Sequence, residues 1–196
     1  MSTRRYLTGG AFKNALEQRL RKASKHGDDF SRRRQLLVFH RFLARAAQTF
    51  GDAVTLKGGL VLELRLERAR TTRDVDLRLT GSPRDLLERL QQAGQLDLGD
   101  FMRFELRLDT SHPEIQTEGL RYDGRRFRAA CRIERELFSQ PFGVDVAFGD
   151  PLLGEPDVLD AEDGLGEAVR GFLDPVLLED HDATWSPQAW AWRHRK

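Results

Sequence analysis

The stretch TLKGGLVLELRLERARTTRDVDL, from Thr55 to Leu77, decides how this 196-residue chain is read. Ala53 to Leu56 is short and apolar, as a strand should be, and Gly58-Gly59 then ends it. From Gly59 to about Arg68 the pattern turns helical. Glycines between a strand and a helix allow a tight turn and let a ligand come close to the backbone. The free N–H groups of the first helical turn favour a phosphate there, and Lys57 adds a point charge. A second strand, Asp74 to Leu79, opens on Asp74-Val75-Asp76. Side chains at i and i+2 of a strand share a face, so the two carboxylates converge. Mg²⁺, which takes carboxylate and phosphate oxygens, relieves that repulsion.

Upstream, Phe12, Leu16, Leu20 and Ala23 recur at helical spacing within Ala11 to His26, with Gly27 as a stop. Ser31 reads as the N-cap of a second helix to about Thr49, with Leu36, Phe39, His40 and Leu43 on one stripe. Downstream, Gly81-Ser82-Pro83 is a turn leading into a helix from Arg84 to about Ala93. Met102 to Leu108, Leu120 to Tyr122 and Phe127 to Ile133 have strand character, with Asp123-Gly124 as a hairpin turn. Gly143 to Phe148 is a further strand. Asp145 stands there among apolar neighbours, where an unpaired buried carboxylate is costly. A water-facing strand, an arginine partner or a role as third metal ligand would each account for it. In a two-metal site the third carboxylate helps deprotonate an acceptor hydroxyl. The order of phosphate turn, helix, carboxylate pair and third carboxylate is far more specific than any one part.

The net charge is only +1, yet it is unevenly spread. Twelve basic residues (Arg4, Arg5, Lys13, Arg19, Arg21, Lys22, Lys25, Arg32, Arg33, Arg34, Arg41 and Arg45) precede residue 46, against Glu17, Asp28 and Asp29. That balance suggests a polyanion surface on the first helices, or simply a solvated helix face. Beyond Asp150 the chain is rich in Gly, Pro and acids, which predicts loops and short helices. One cysteine, Cys131, excludes an internal disulfide framework and reads as an inert strand residue. No run is long and apolar enough to span a membrane, so a cytoplasmic protein is expected. His40 reads as a packed histidine, and Trp185, Trp190 and Trp192 as apolar anchors.

The same Thr55–Leu77 stretch resembles the signature of the AbiEii/MenT-type toxins, within the nucleotidyltransferase superfamily that includes DNA polymerase beta. Phe39 to Arg45 before it and Val144 to Asp150 after it extend the likeness to roughly Ala11 to Asp157. The resemblance implies an α+β nucleotidyltransferase fold, a mixed β-sheet with flanking helices and an N-terminal helical segment. Its parts would be basic helices over 1–52, a catalytic core over 53–150 and an acidic, loop-rich segment over 151–196. It implies nucleotide contacts at Lys57, Gly58, Gly59 and Thr72, the last also a position at which an antitoxin could silence the enzyme by modification. Catalysis and metal binding fall on Asp74, Asp76 and Asp145, with two Mg²⁺ ions as cofactor and an NTP as substrate. The implied partners are a tRNA acceptor and a cognate antitoxin, with no membrane. The implied reaction adds NMP to the 3′ end of tRNA, blocking aminoacylation and translation. A same-fold enzyme acting on a small molecule or protein, or a non-catalytic RNA- or partner-binding module, is the alternative. Longer members continue into a helical region with a Glu–Lys pair and a Lys–Asp motif. No match to these follows Leu159, where Arg170 and Arg193 are candidate replacements.

Overall fold

The computed structural model describes residues 6–24, 27–65, 71–81, 84–114, 123–148, 183–186 and 191–194. Two helices come first: α1 (Gly9–Ala23) and α2 (Gly27–Phe50). Thr8 caps α1, its hydroxyl accepting from the Ala11 N–H at 3.2 Å. Glu134 adds a carboxylate to the same end, accepting from the Gly10 N–H at 3.1 Å, where the helix dipole favours negative charge. The second helix begins at Gly27, so Ser31 lies inside it rather than capping it. An Asp29–Arg33 pair, one turn apart at 2.7 Å, supports that earlier start.

The sheet is assembled from β1 (Val54–Lys57), β2 (Asp74–Leu79), β3 (Met102–Leu108), β4 (Asp123–Ile133), β5 (Glu136–Leu137) and β6 (Phe142–Phe148). Helix α3 (Gly59–Arg65) links β1 to the segment before β2, and α4 (Leu86–Gln95) precedes β3. The strand order is β1-β2-β6-β4-β3, with β5 paired to β4. Only β2 and β6 run parallel, so the sheet is mixed and the chain is α+β, as expected. Asp123 and Gly124 do not turn a hairpin. They extend β4, opposite Phe148 and Ala147, because β6 is long enough to pair with them. Leu120 to Tyr122, Ser82-Pro83 and residues 66–70 lie outside the described residues, as does 149–182. Within the C-terminal part, loops and short helices were expected, but Ala183–Ser186 and Ala191–His194 pair as two antiparallel strands. Trp185 stands opposite Trp192 in their register.

Alternation splits the sheet into two faces. Val75, Leu77, Leu79, Met102, Phe104, Leu106, Phe127, Ala129, Cys131, Val144 and Val146 are buried, in one cluster with Phe12, Leu16, Leu20, Phe39 and Phe42 of the first helices. Phe42 meets Phe104 and Phe142 at 5.6 Å between ring centres, and Phe39 meets Phe142 at 4.9 Å. His40 is buried, as its place on the stripe predicted. Helix α4 lies against β3, where Gln91 and Gln95 donate to the Leu106 and Phe104 carbonyls and satisfy the free edge.

Arg45 corrects the picture of a uniformly basic N-terminal surface, because it is wholly buried. Its fork donates to both oxygens of Asp100, at 2.7 and 3.1 Å, and to the carbonyls of Met102, Leu96 and Arg41. Arg41 completes the cluster, 2.6 Å from Asp100. Burial raises the Asp100 carboxyl, but the Arg45 hydrogen bonds and both guanidinium charges outweigh it and hold it below the ordinary range. The pair ties α2 to the connection between α4 and β3.

Candidate active site

The other face of the sheet holds the polar residues singled out in the sequence. Asp74 and Asp76 share it on β2, and the parallel register sets Asp76 directly opposite Asp145 of β6. Lys57 stands opposite Asp76 on the far side. Opposite Asp145, on β4, is Arg126. One row therefore reads Lys57, Asp76, Asp145, Arg126 across four strands. Strand order thus gathers residues that lie far apart in sequence.

Gly58, with φ of +73°, makes the turn between β1 and α3, in a region few side chains adopt. A Cβ on Gly58 would stand 2.1 Å from Asp76 Oδ2. The bare backbone is thus what lets the carboxylate reach the turn, and it accepts the Gly59 N–H there. Gly143 does the same for Asp74, whose Oδ1 accepts the Gly143 N–H at 3.1 Å where a Cβ would come within 2.5 Å. Thr72 sits beside Gly59 and is held by its backbone. Its N–H donates to Glu63 at 3.0 Å, and its carbonyl accepts from Arg32 at 2.7 Å. Arg32 and Glu63 form an ion pair with each other, so α2 and α3 together set the approach to Asp74. The Thr72 hydroxyl lies 3.3 Å from the Asp74 carbonyl oxygen.

Partial burial, then the charges of Asp145 and Asp74, raise the Asp76 carboxyl above its ordinary value, against Lys57 and the Gly59 hydrogen bond. Sequence reasoning allowed Asp145 an arginine partner but did not identify it as Arg126. Its Nε and NH2 donate to the two oxygens of Asp145 at 2.8 and 2.7 Å. That hydrogen bonding, with the charges of Asp145, Asp74 and Asp109, outweighs desolvation and holds the guanidinium firmly protonated. Nothing in Arg125-Arg126 marks the second arginine over the first; only alternation relative to Phe127 places it on this face. Glu63 and Arg32 were equally invisible.

The donor set suits a hard divalent cation, being carboxylate oxygens whose mutual repulsion such an ion would relieve. Among the described residues, however, the carboxylates are not drawn into a closed cage. Asp145 is taken up by Arg126, and Asp74 by the Gly143 backbone.

The family model described as "Nucleotidyl transferase AbiEii toxin, Type IV TA system" matches residues 41–172, which include all of these side chains except Arg32. No curated protein matches the chain. A solved structure, JHP933 from Helicobacter pylori, is similar over 60% of this chain at 15% identity, with a TM-score of 0.39. The chain spans 46% of that protein.

Proposed function

This chain belongs to the AbiEii family of nucleotidyltransferase toxins of type IV toxin–antitoxin systems, and on that premise we propose a specific reaction for it. It transfers a nucleoside monophosphate from an NTP to the 3′ end of tRNA in a Mg²⁺-dependent step, blocking aminoacylation and translation. The supporting observation is the placement of Asp74, Asp76 and Asp145 on one sheet face beside the Gly58 turn.

In this reading Asp74, Asp76 and Asp145 hold two Mg²⁺ ions. When bound, these ions neutralise the triphosphate and lower the pKa of the acceptor hydroxyl. Lys57 and the Gly58-Gly59 turn hold the β- and γ-phosphates, which leave as pyrophosphate. Thr72, fixed by Arg32 and Glu63, presents its hydroxyl to the triphosphate and is the position at which modification would silence the enzyme. Asp145, released from Arg126, orients the acceptor 3′-hydroxyl for in-line attack on the α-phosphorus. A cognate antitoxin is the expected protein partner and the cytoplasm the expected location. No helix among the described residues is long and apolar enough to cross a membrane.

The test is transfer from each α-labelled NTP to total tRNA with Mg²⁺, beside an Asp76→Ala control. Label on tRNA with the wild type alone is expected. Absence of label with every NTP, from folded protein, would overturn the tRNA reading, and label on another acceptor would replace it.

A further inference from the structure

The open face of the sheet does not end at the carboxylates. On β4 and β3, the residues sharing the side of Arg126 are Arg128, Ala130 and Arg132, with Arg103, Glu105 and Arg107 beside them. The register sets Arg107 directly opposite Arg128, and Arg103 directly opposite Arg132. Like charges facing each other across strands destabilise a sheet, so two such pairs on one face call for a counter-charge. Local acids supply little of it. Glu105 lies 2.9 Å from Arg132, but Asp97 is 3.8 Å from Arg103 and Asp109 is 4.0 Å from Arg128. Glu105 and Asp97 are exposed, and pairs of that kind exchange readily. Arg107 is exposed and has no acid within ion-pair distance among the described residues.

The patch adjoins the candidate active site. Arg128 lies in one row with Gly143 and Asp74, two strand spacings away, or about 10 Å. Arg132 and Arg103 lie four residues further along their strands, about 13 Å. Between the two pairs stands Ala130, opposite Glu105, and β6 contributes only Gly143 beside Arg128. Every cation on this stretch is arginine, whose planar fork matches phosphate oxygens in pairs.

The first helices, richer in basic residues, are a poorer match. Of the nine cations in α1 and α2, six are held by acids of the chain at 3.2 Å or less: Lys13 by Glu136, Arg21 by Glu17, Arg32 by Glu63, Arg33 by Asp29, and Arg41 and Arg45 by Asp100. Of the four sheet arginines, Arg132 alone is held so closely among the described residues, by Glu105.

We propose that the arginine face of β3 and β4, comprising Arg103, Arg107, Arg128 and Arg132, docks the acceptor RNA by its phosphates and directs its 3′ end toward Asp74, Asp76 and Asp145. The direction rests on the nucleotidyl-transfer reading; the binding does not. The experiment is fluorescence anisotropy of fluorescein-labelled tRNA against wild type, Arg107→Gln, the double variant Arg107→Gln/Arg128→Gln, and Arg21→Gln/Lys22→Gln on α1. No NTP is added, and binding is read across a salt series. Each lost phosphate contact should weaken binding about fivefold near 0.15 M salt and lower the slope of log K against log salt by about one. Arg107→Gln, a single exposed change, keeps the test interpretable if the double variant folds poorly. Wild-type affinity and slope in both sheet variants would overturn the proposal. So would a wild type that does not bind tRNA, or a loss confined to the α1 variant. If the wild type binds tRNA through this face but transfers no label, the docking surface stands and the transferase reading falls.

Discussion

Arg126 grips Asp145 with both prongs of its guanidinium, donating at 2.8 and 2.7 Å to the two carboxylate oxygens. A carboxylate engaged in this way cannot offer both oxygens to a cation, so Arg126 would compete with the proposed metal ion for it. Arg126→Gln should therefore bind Mn²⁺ several-fold more tightly than wild type in calorimetric titration. Unchanged affinity would mean that Asp145 is not among the metal's ligands.

Asp76 should be costly to keep ionised. Its pKa is raised by burial first, then by Asp145 and Asp74. A carboxyl raised in the folded state binds its proton more readily there than in the unfolded chain. Its ionised form thus subtracts stability above the ordinary carboxylate range. Asp76→Asn should melt above wild type at pH 7 without divalent ions, and the gap should close as pH falls into the carboxylate range. Mg²⁺ should raise the melting temperature of wild type more than that of the variant. Turnover should fall by at least roughly a hundredfold, the order lost with one electrostatic contact to a transition state. A variant no more stable than wild type would refute the repulsion argument.

The two adjacent glycines should not tolerate alanine equally. At Gly58 a Cβ meets Asp76 Oδ2 at 2.1 Å and the backbone has φ of +73°, whereas at Gly59 the nearest atom is Thr72 Cβ at 3.3 Å. Gly58→Ala is expected to lose triphosphate binding and about 1 kcal/mol or more of stability. Gly59→Ala should lose less of both, measured by nucleotide titration and urea unfolding. Equal effects would contradict this geometry.

His40 gives acid sensitivity a defined window. Burial, followed by the Arg41 charge, lowers its pKa from 6.5 to about 4. Among the described residues its Nε2 has no hydrogen-bond partner. The unfolded chain then binds the proton first, so stability is complete above about pH 6.5 and falls as pH drops toward 4. At pH 5 the loss from this group is about 2 kcal/mol. His40→Phe should flatten unfolding free energy between pH 6.5 and 4, and an unchanged slope would assign the effect elsewhere.

Arg45→Ala leaves Asp100 buried with only Arg41 to balance it, and should cost about 3–5 kcal/mol. Chemical unfolding would show this as a lower midpoint. A cost below about 1 kcal/mol would place the weight of the cluster on Arg41.

Most elements were legible because their signals are local. Asp74–Leu79 and Met102–Leu108 alternate cleanly and were bounded as the structure has them. The boundaries that moved did so for non-local reasons. Asp123-Gly124 has the composition of a turn, but pairing with Phe148 and Ala147 drew it into β4. Ser31 has the chemistry of a cap, but the Asp29–Arg33 pair supports a start at Gly27.

By itself the sequence determined that Asp74 and Asp76 share a face, that a glycine turn precedes them, and which stripes of α1 and α2 are apolar. Each of these follows from the period of a strand or helix, which any short stretch of chain carries within itself. Only the tertiary structure decided that Asp145 stands opposite Asp76, that Arg126 holds it, and that Arg45 is buried while Arg107 faces out. Those facts depend on which strands pair, in what register and under which helix. Long-range burial settles that pairing, and local periodicity does not encode it.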